Sequence, residues 1–145
     1  MPRMIRLASL LLVAVTASAC GGGNDTPTTP TSLGIPFSTT DLVVGTGNVA
    51  LNGARVVVSY TGWLYATTGT DNKGTQFDAG VLPAFVLGGG SGLIAGFERG
   101  VSGMRVGGLR RVIIPPELGY GTRGSGSVIP PNATLIFEIQ LQAAQ

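Results

Sequence analysis

Leu109-Arg-Arg-Val-Ile-Ile-Pro-Pro-Glu-Leu-Gly-Tyr-Gly121, a Gly/Ser-rich tip, and Val128-Ile-Pro-Pro-Asn-Ala-Thr-Leu-Ile-Phe137 form the stretch on which the reading of the fold turns. Leu109 to Ile114 and Thr134 to Leu141 carry β-branched and aromatic residues at strand density. The Pro115-Pro116 and Pro130-Pro131 pairs stop each strand where the loop between them begins, because proline has no N–H for a ladder. A loop pinned at both ends holds Tyr120, Val128 and Ile129, one aromatic hydroxyl and two aliphatics. Loops run over the surface, so apolar residues here either tuck beneath the loop as a satellite core or face a ligand.

Working upstream, Leu93, Ile94, Phe97, Val101 and Met104 share a helical spacing, and Gly96, Gly100 and Gly103 limit them to a short helix held by packing. Phe85 to Leu87 is a strand closed by Gly88-Gly89-Gly90, and Thr75 to Asp78 is a short strand whose side chains alternate outward and inward before a turn at Ala79-Gly80. Ala66 to Gly74 is a polar loop, and Val56 to Tyr60, extended by Trp63-Leu64-Tyr65, is a strand with Val56, Val58 and Tyr60 on one face. Leu42 to Val44 is the first strand of a folded unit beginning near Ser38. One short helix covering a strongly bent antiparallel sheet, an α+β fold over residues 38–145, accounts for this order.

Composition narrows the chemistry. The 145 residues suit one small domain plus a tail, and 24 glycines with 9 prolines point to many turns. Histidine is absent and Cys20 is the single cysteine, which excludes zinc sites, Ser-His-Asp and Cys-His nucleophilic arrangements and internal disulfides. Seven scattered acids argue against a carboxylate metal site, and Gly69 to Thr75 lacks the lysine placement of a phosphate loop. No cofactor is expected. The net charge of +2 includes Arg3 and Arg6, so the remaining chain is near neutral and nucleic acid is not an expected partner.

The amino-terminal segment reads as an address. Arg3 and Arg6 precede the apolar run Leu7 to Val15, which ends at Ala17-Ser18-Ala19-Cys20. A basic start, a short apolar middle and small residues before a cut describe an export signal over 1–19, too short to span a bilayer. Small residues before a lone cysteine resemble a bacterial lipoprotein processing site, which implies acylation of Cys20 and membrane attachment without a transmembrane helix. Ala17 stands where that pattern prefers leucine; Gly21 is not the aspartate of inner-membrane retention, so the outer membrane of the cell envelope is favoured. Residues 20–37, rich in Gly, Thr and Pro, form a tether that holds the domain off the membrane.

Taken together with Val57-Val58-Ser59-Tyr60-Thr61-Gly62, Gln76-Phe77-Asp78 and Ile94-Ala95-Gly96-Phe97-Glu98, the Leu109–Phe137 stretch resembles the FKBP family of peptidyl-prolyl cis-trans isomerases from about Asp41 to the carboxyl terminus. The resemblance implies a sheet curled around the helix with an apolar cavity between them. It implies aromatic walls at Tyr60, Phe77 and Phe137, a floor at Phe97, an aliphatic rim at Leu93 and Ile94, and a substrate carbonyl bonded by the Ile94 N–H. It further implies a Tyr120 hydroxyl facing substrate, Val128 and Ile129 closing the loop side, and Asp78 beside the pocket. Expected partners are proline-containing unfolded or exported polypeptides and macrolide ligands of the immunosuppressant type. Three positions depart from the family pattern: Phe97 replaces a common tryptophan, Pro83 replaces an aromatic, and Asp78 lacks its usual arginine partner. Those departures leave a second reading open, a polypeptide-holding module that uses the pocket or the apolar Val81 to Val86 flap with little isomerisation.

Overall fold

The computed structural model describes residues 33–145, so the expected export signal, Cys20 and most of the expected tether lie outside the described residues. Five antiparallel strands form one open sheet: β1 (Ser38–Val43), β2 (Arg55–Tyr65), β3 (Lys73–Val86), β4 (Leu109–Ile114) and β5 (Leu135–Ala144), in the spatial order β1-β4-β5-β2-β3. A single α-helix among the described residues, α1 (Ala95–Val101), lies across the face made by β4 and β5. The α+β architecture read from the sequence is therefore the one found.

β5 is the central strand, and its alternation sets the core. Leu135, Phe137, Ile139 and Leu141 are buried toward the helix with Val56, Val58, Val112, Ile114, Val101 and Met104. The intervening Ile136, Glu138 and Gln140 face the other side, as the two-residue period of a strand requires, and Ile136 is buried there too.

Two glycines explain how so short a helix is held. A Cβ on Gly96 would lie 2.4 Å from Cγ2 of Ile114, and one on Gly100 would lie 2.7 Å from Cγ2 of Val112. The helix thus loses propensity at these positions but gains close approach to β4. Its carboxyl end is clamped by Arg110, which donates to the carbonyls of Gly100 and Ser102, both at 3.0 Å, and to the Asp41 carboxylate of β1 at 2.6 Å. That ion pair holds the Asp41 carboxyl below its usual range.

The structure corrects several element boundaries. The first strand is Ser38–Val43 rather than Leu42 to Val44, and it forms an exposed edge. The helix spans Ala95–Val101; Leu93 and Ile94 precede it and Met104 follows it, although the same apolar face is buried. The expected turn at Ala79-Gly80 is not a turn. Ala79 and Gly80 pair with Thr61 and Tyr60, so the two short strands expected on either side are one fourteen-residue β3. The eleven-residue β2 supplies a partner along this whole length, and Pro83 falls where the register shifts, on an edge strand that needs no outward N–H.

Candidate functional site

Between the helix start and the sheet lies a cavity of about 120 Å³ lined by Tyr60, Phe77, Asp78, Leu82, Gly92, Leu93, Ile94, Phe97, Tyr120 and Phe137. Tyr60 comes from β2, Phe77, Asp78 and Leu82 from β3, Phe137 from β5, and Phe97 from the first turn of α1. Four rings form a continuous wall and floor. Phe97 meets Phe137 at 5.3 Å between centroids and Tyr60 at 5.7 Å, and Phe77 meets Phe137 at 5.5 Å, all three edge to face. Edge-to-face packing aligns the positive rim of one ring with the negative face of the next, so the three phenylalanines of the wall are held without a polar contact.

Consecutive residues of a regular strand point to opposite faces, yet Phe77 and Asp78 both line the cavity. The cause is a bulge: Gly62 pairs with Asp78 while Trp63 pairs with Gln76, which leaves Phe77 as the extra residue of β3. Bulges re-aim side chains beside sites in this way. The expected outward-inward alternation of Thr75 to Asp78 is replaced at this point by two adjacent side chains facing one pocket.

At the mouth, the Tyr60 hydroxyl donates to Asp78 Oδ2 at 2.6 Å, and the Ala79 N–H donates to Oδ1 at 2.9 Å. Asp78 therefore accepts both from the next amide of its own strand and from a ring of the cavity wall. Among the described residues no lysine or arginine pairs with it; the ion pairs made by acids are those of Asp41, Asp71 and Glu138. Burial, followed by the hydrogen bond and the negative charge of Asp78, pushes the Tyr60 phenol up to about 12, so this hydroxyl stays a proton donor at every physiological pH.

The rim is fastened from below by Glu98. Its carboxylate accepts from the Ser91 hydroxyl and, at 3.3 Å, from the Gly88 N–H, and Ser91 Oγ in turn receives the Leu93 N–H at 3.4 Å. Ile94 stands at the helix N-cap with extended φ/ψ of −63° and 141°, its carbonyl accepting from the Phe97 and Glu98 amides. This arrangement sets Gly92, Leu93 and Ile94 along one side of the cavity. Tyr120, 38% exposed, also lines the cavity, from the loop after β4.

Eight of the ten expected pocket residues are thus brought together. Val128 and Ile129 are not among those lining the cavity: Val128 is 55% exposed, and Ile129 is buried in the core, where a two-way backbone bridge to Ser125 holds it. Sequence reasoning missed Leu82 and Gly92 as lining residues and Glu98 as the rim's anchor. The turn expected at Ala79-Gly80 hides Leu82, and the partners of Glu98, Gly88 and Ser91, lie in a preceding segment that no local pattern ties to it.

A family model for FKBP-type peptidyl-prolyl cis-trans isomerases matches residues 47–142. The chain belongs to the FKBP-type peptidyl-prolyl cis-trans isomerases. An FK506-binding protein of Neisseria meningitidis serogroup A is 44% identical over 104 residues, covering 70% of this chain and 89% of the relative. FK506-binding protein 1 of Dictyostelium discoideum is 43% identical over 101 residues, covering 67% and 87%. Among solved structures, a peptidyl-prolyl cis-trans isomerase of Pseudomonas syringae pv. tomato superposes with a TM-score of 0.62 at 33% identity, covering 79% of this chain and 80% of that one. The activity of this FKBP-type chain is accordingly the cis-trans isomerisation of peptidyl-prolyl bonds.

Proposed function

We propose that this isomerase acts on exported polypeptides by drawing the prolyl amide into the Tyr60–Phe77–Phe97–Phe137 cavity. The observation that carries the reading is a cavity walled by four interlocked rings with a single carboxylate at its mouth. Rotation about the amide must surmount a barrier of roughly 18–20 kcal/mol that comes from resonance, and it passes through a perpendicular state in which that resonance is lost. The twisted carbonyl is less polarised than the planar one, so an apolar enclosure disfavours the planar ground state relative to the transition state. No nucleophile or proton transfer is required. The Ile94 N–H and the Tyr120 hydroxyl serve as donors to the carbonyls flanking the proline, and Asp78 holds Tyr60 against the opening. Each gain of about 1.4 kcal/mol in transition-state binding is worth tenfold in rate.

The decisive assay is exchange of a Leu-Pro peptide, with and without a macrolide of the FK506 type, the ligand for which its relatives are named. The expected result is acceleration that the macrolide suppresses; a folded chain that leaves the uncatalysed rate unchanged refutes the reading. The basic start, the apolar Leu7 to Val15 run and Ala17-Ser18-Ala19-Cys20 support export and acylation of Cys20, with the domain tethered to the envelope, outer membrane favoured. Cys20→Ala should then move the protein from the membrane fraction to the soluble one.

The exposed Val81 (61%) and Val86 (41%) on edge strand β3 favour a second reading, that of a module holding unfolded chains. Proline-free unfolded substrates discriminate: protection from aggregation that survives loss of the pocket supports holding over catalysis.

A further inference from the structure

The aromatic wall closes over a strand position that has no side chain. Gly62 lies in β2 directly opposite Phe137 of β5 and Asp78 of β3. Directly opposed residues of an antiparallel pair share a face, so a side chain at 62 would enter the space those two residues use. A Cβ there would stand 2.7 Å from Cζ of Phe77 and 2.8 Å from Cε1 of Phe137, whereas carbon atoms rest comfortably at about 3.5–4.0 Å. Gly62 is not among the glycines with positive φ, so any residue tolerates this backbone and the need for glycine is one of space.

We propose that Gly62 sets the width of the prolyl cavity and thereby its specificity for ring size. Carrying no side chain, it lets the Phe77 ring delivered by the bulge and the Phe137 ring rest against β2. A methyl group at 62 must push both rings away from the strand by several tenths of an ångström. Phe137 is backed by Phe97 and Tyr60, and Phe77 by Phe137, so the displaced rings move into the cavity they line. Gly62 is a positioning residue, acting through the two rings. The inference rests on the reading of this cavity as the prolyl site.

The test compares peptides that carry azetidine-2-carboxylate, proline or pipecolate, with four-, five- and six-membered rings, at the isomerising bond. In Gly62→Ala the ratio of kcat/KM for the pipecolate peptide to that for the azetidine peptide should fall about tenfold, the scale on which a pocket senses one methylene. Most of the change should lie in KM. Gly100→Ala is the control: its Cβ meets Val112 at the same 2.7 Å, in the seam between helix and β4, so it overpacks the core and should leave the ratio as in the parent. If Gly62→Ala lowers activity on all three peptides equally, as overpacking does, the proposal fails. If the parent chain accelerates none of them, the prolyl reading fails and this inference with it; an active parent with an unchanged ratio in Gly62→Ala overturns this inference alone. Should Gly62→Ala not fold, the comparison moves to the Phe77→Leu background, where the shorter side chain leaves the methyl room. There the added methyl, acting through Phe137 alone, should lower the ratio about threefold; an unchanged ratio or a full tenfold fall would overturn the proposal that Gly62 acts through the two rings.

Discussion

The two faces of β5 do different work. Toward the helix, Leu135, Phe137, Ile139 and Leu141 are buried, and Phe137 touches Tyr60, Phe77 and Phe97, the other three rings of the cavity's wall and floor. Toward the other side, Glu138 bonds Arg111 at 2.9 Å and Lys73 at 2.6 Å, Arg111 reaches Asp71 at 2.9 Å, and Lys73 lies 4.4 Å from the Trp63 ring centroid. One face is an uncharged enclosure suited to a weakly polar transition state; the other joins β3, β4 and β5 by charge. At Phe137 and Glu138, adjacent residues of one strand thus face an apolar core with its cavity on one side and a charge network on the other. Substitutions of the cavity rings should cost activity, those of the core residues Leu135, Ile139 and Leu141 or of the ionic network stability, and Phe137, which belongs to core and cavity together, should cost both.

Phe137→Ala is the harshest probe. Truncating a buried phenylalanine costs about 3–5 kcal/mol through lost transfer energy and the cavity left behind. The same truncation removes the ring against which Phe77, Tyr60 and Phe97 are set, so kcat/KM on a Leu-Pro peptide should fall about a hundredfold or more in the fraction that remains folded, the equivalent of a 2.7 kcal/mol loss of transition-state binding. Denaturant unfolding and single-peptide kinetics on one preparation give both quantities; wild-type kinetics in the folded fraction would detach the ring from the reaction.

Asp78→Leu should separate the two roles. The carboxylate accepts from the Tyr60 hydroxyl and the Ala79 amide at an exposed mouth, so its loss should cost only about 1 kcal/mol of stability. With Tyr60 released, activity should drop about tenfold. Tyr120→Phe should fall less, since that ring keeps its place on the loop. An Asp78→Leu chain with full activity would show that the Tyr60–Asp78 bond is structural.

The sequence made some of this legible, and the reasons differ by element. Leu109–Ile114 is bounded by a proline pair and a glycine, and strand and reading coincide. β3 could not be read in the same way. Ala79-Gly80 has turn composition, and only the presence of a long β2 opposite converts it into ladder, a tertiary fact with no local signature. The bulge at Phe77 is of the same kind: alternation assigns Phe77 and Asp78 to opposite faces, and only the shift in register between Gly62 and Trp63 reunites them. Gly96 and Gly100 read as weaknesses of the helix because propensity is local, whereas their use is the approach to Ile114 and Val112. The resemblance sets Val128 and Ile129 at the pocket, whereas in the structure Ile129, bridged to Ser125, is buried in the core and Val128 is exposed.

Glu138→Gln sharpens the comparison at the smallest scale. Burial raises the Glu138 pKa, but hydrogen bonds and charge from Lys73 and Arg111 outweigh it and hold the carboxyl below its usual value. A depressed folded pKa means that the unfolded chain takes up the proton first, so the stabilisation is fully present above the unfolded value of about 4.3 and is lost as pH falls through the lower folded one. At pH 7 the variant should be less stable by about 1 kcal/mol, the ceiling for partly exposed pairs, and added salt should shrink the gap. The difference should then narrow as pH drops below about 4, because protonation makes the glutamate resemble the glutamine. Asp41, lowered by Arg110, imposes its own acid-side loss on both chains and cancels in the comparison. Isomerase activity at pH 7 should match the parent, because the substituted side chain faces away from the rings. A fall in kcat/KM that tracks the loss of stability would mean that the two faces of β5 are mechanically coupled, and the division of labour between them would have to be abandoned.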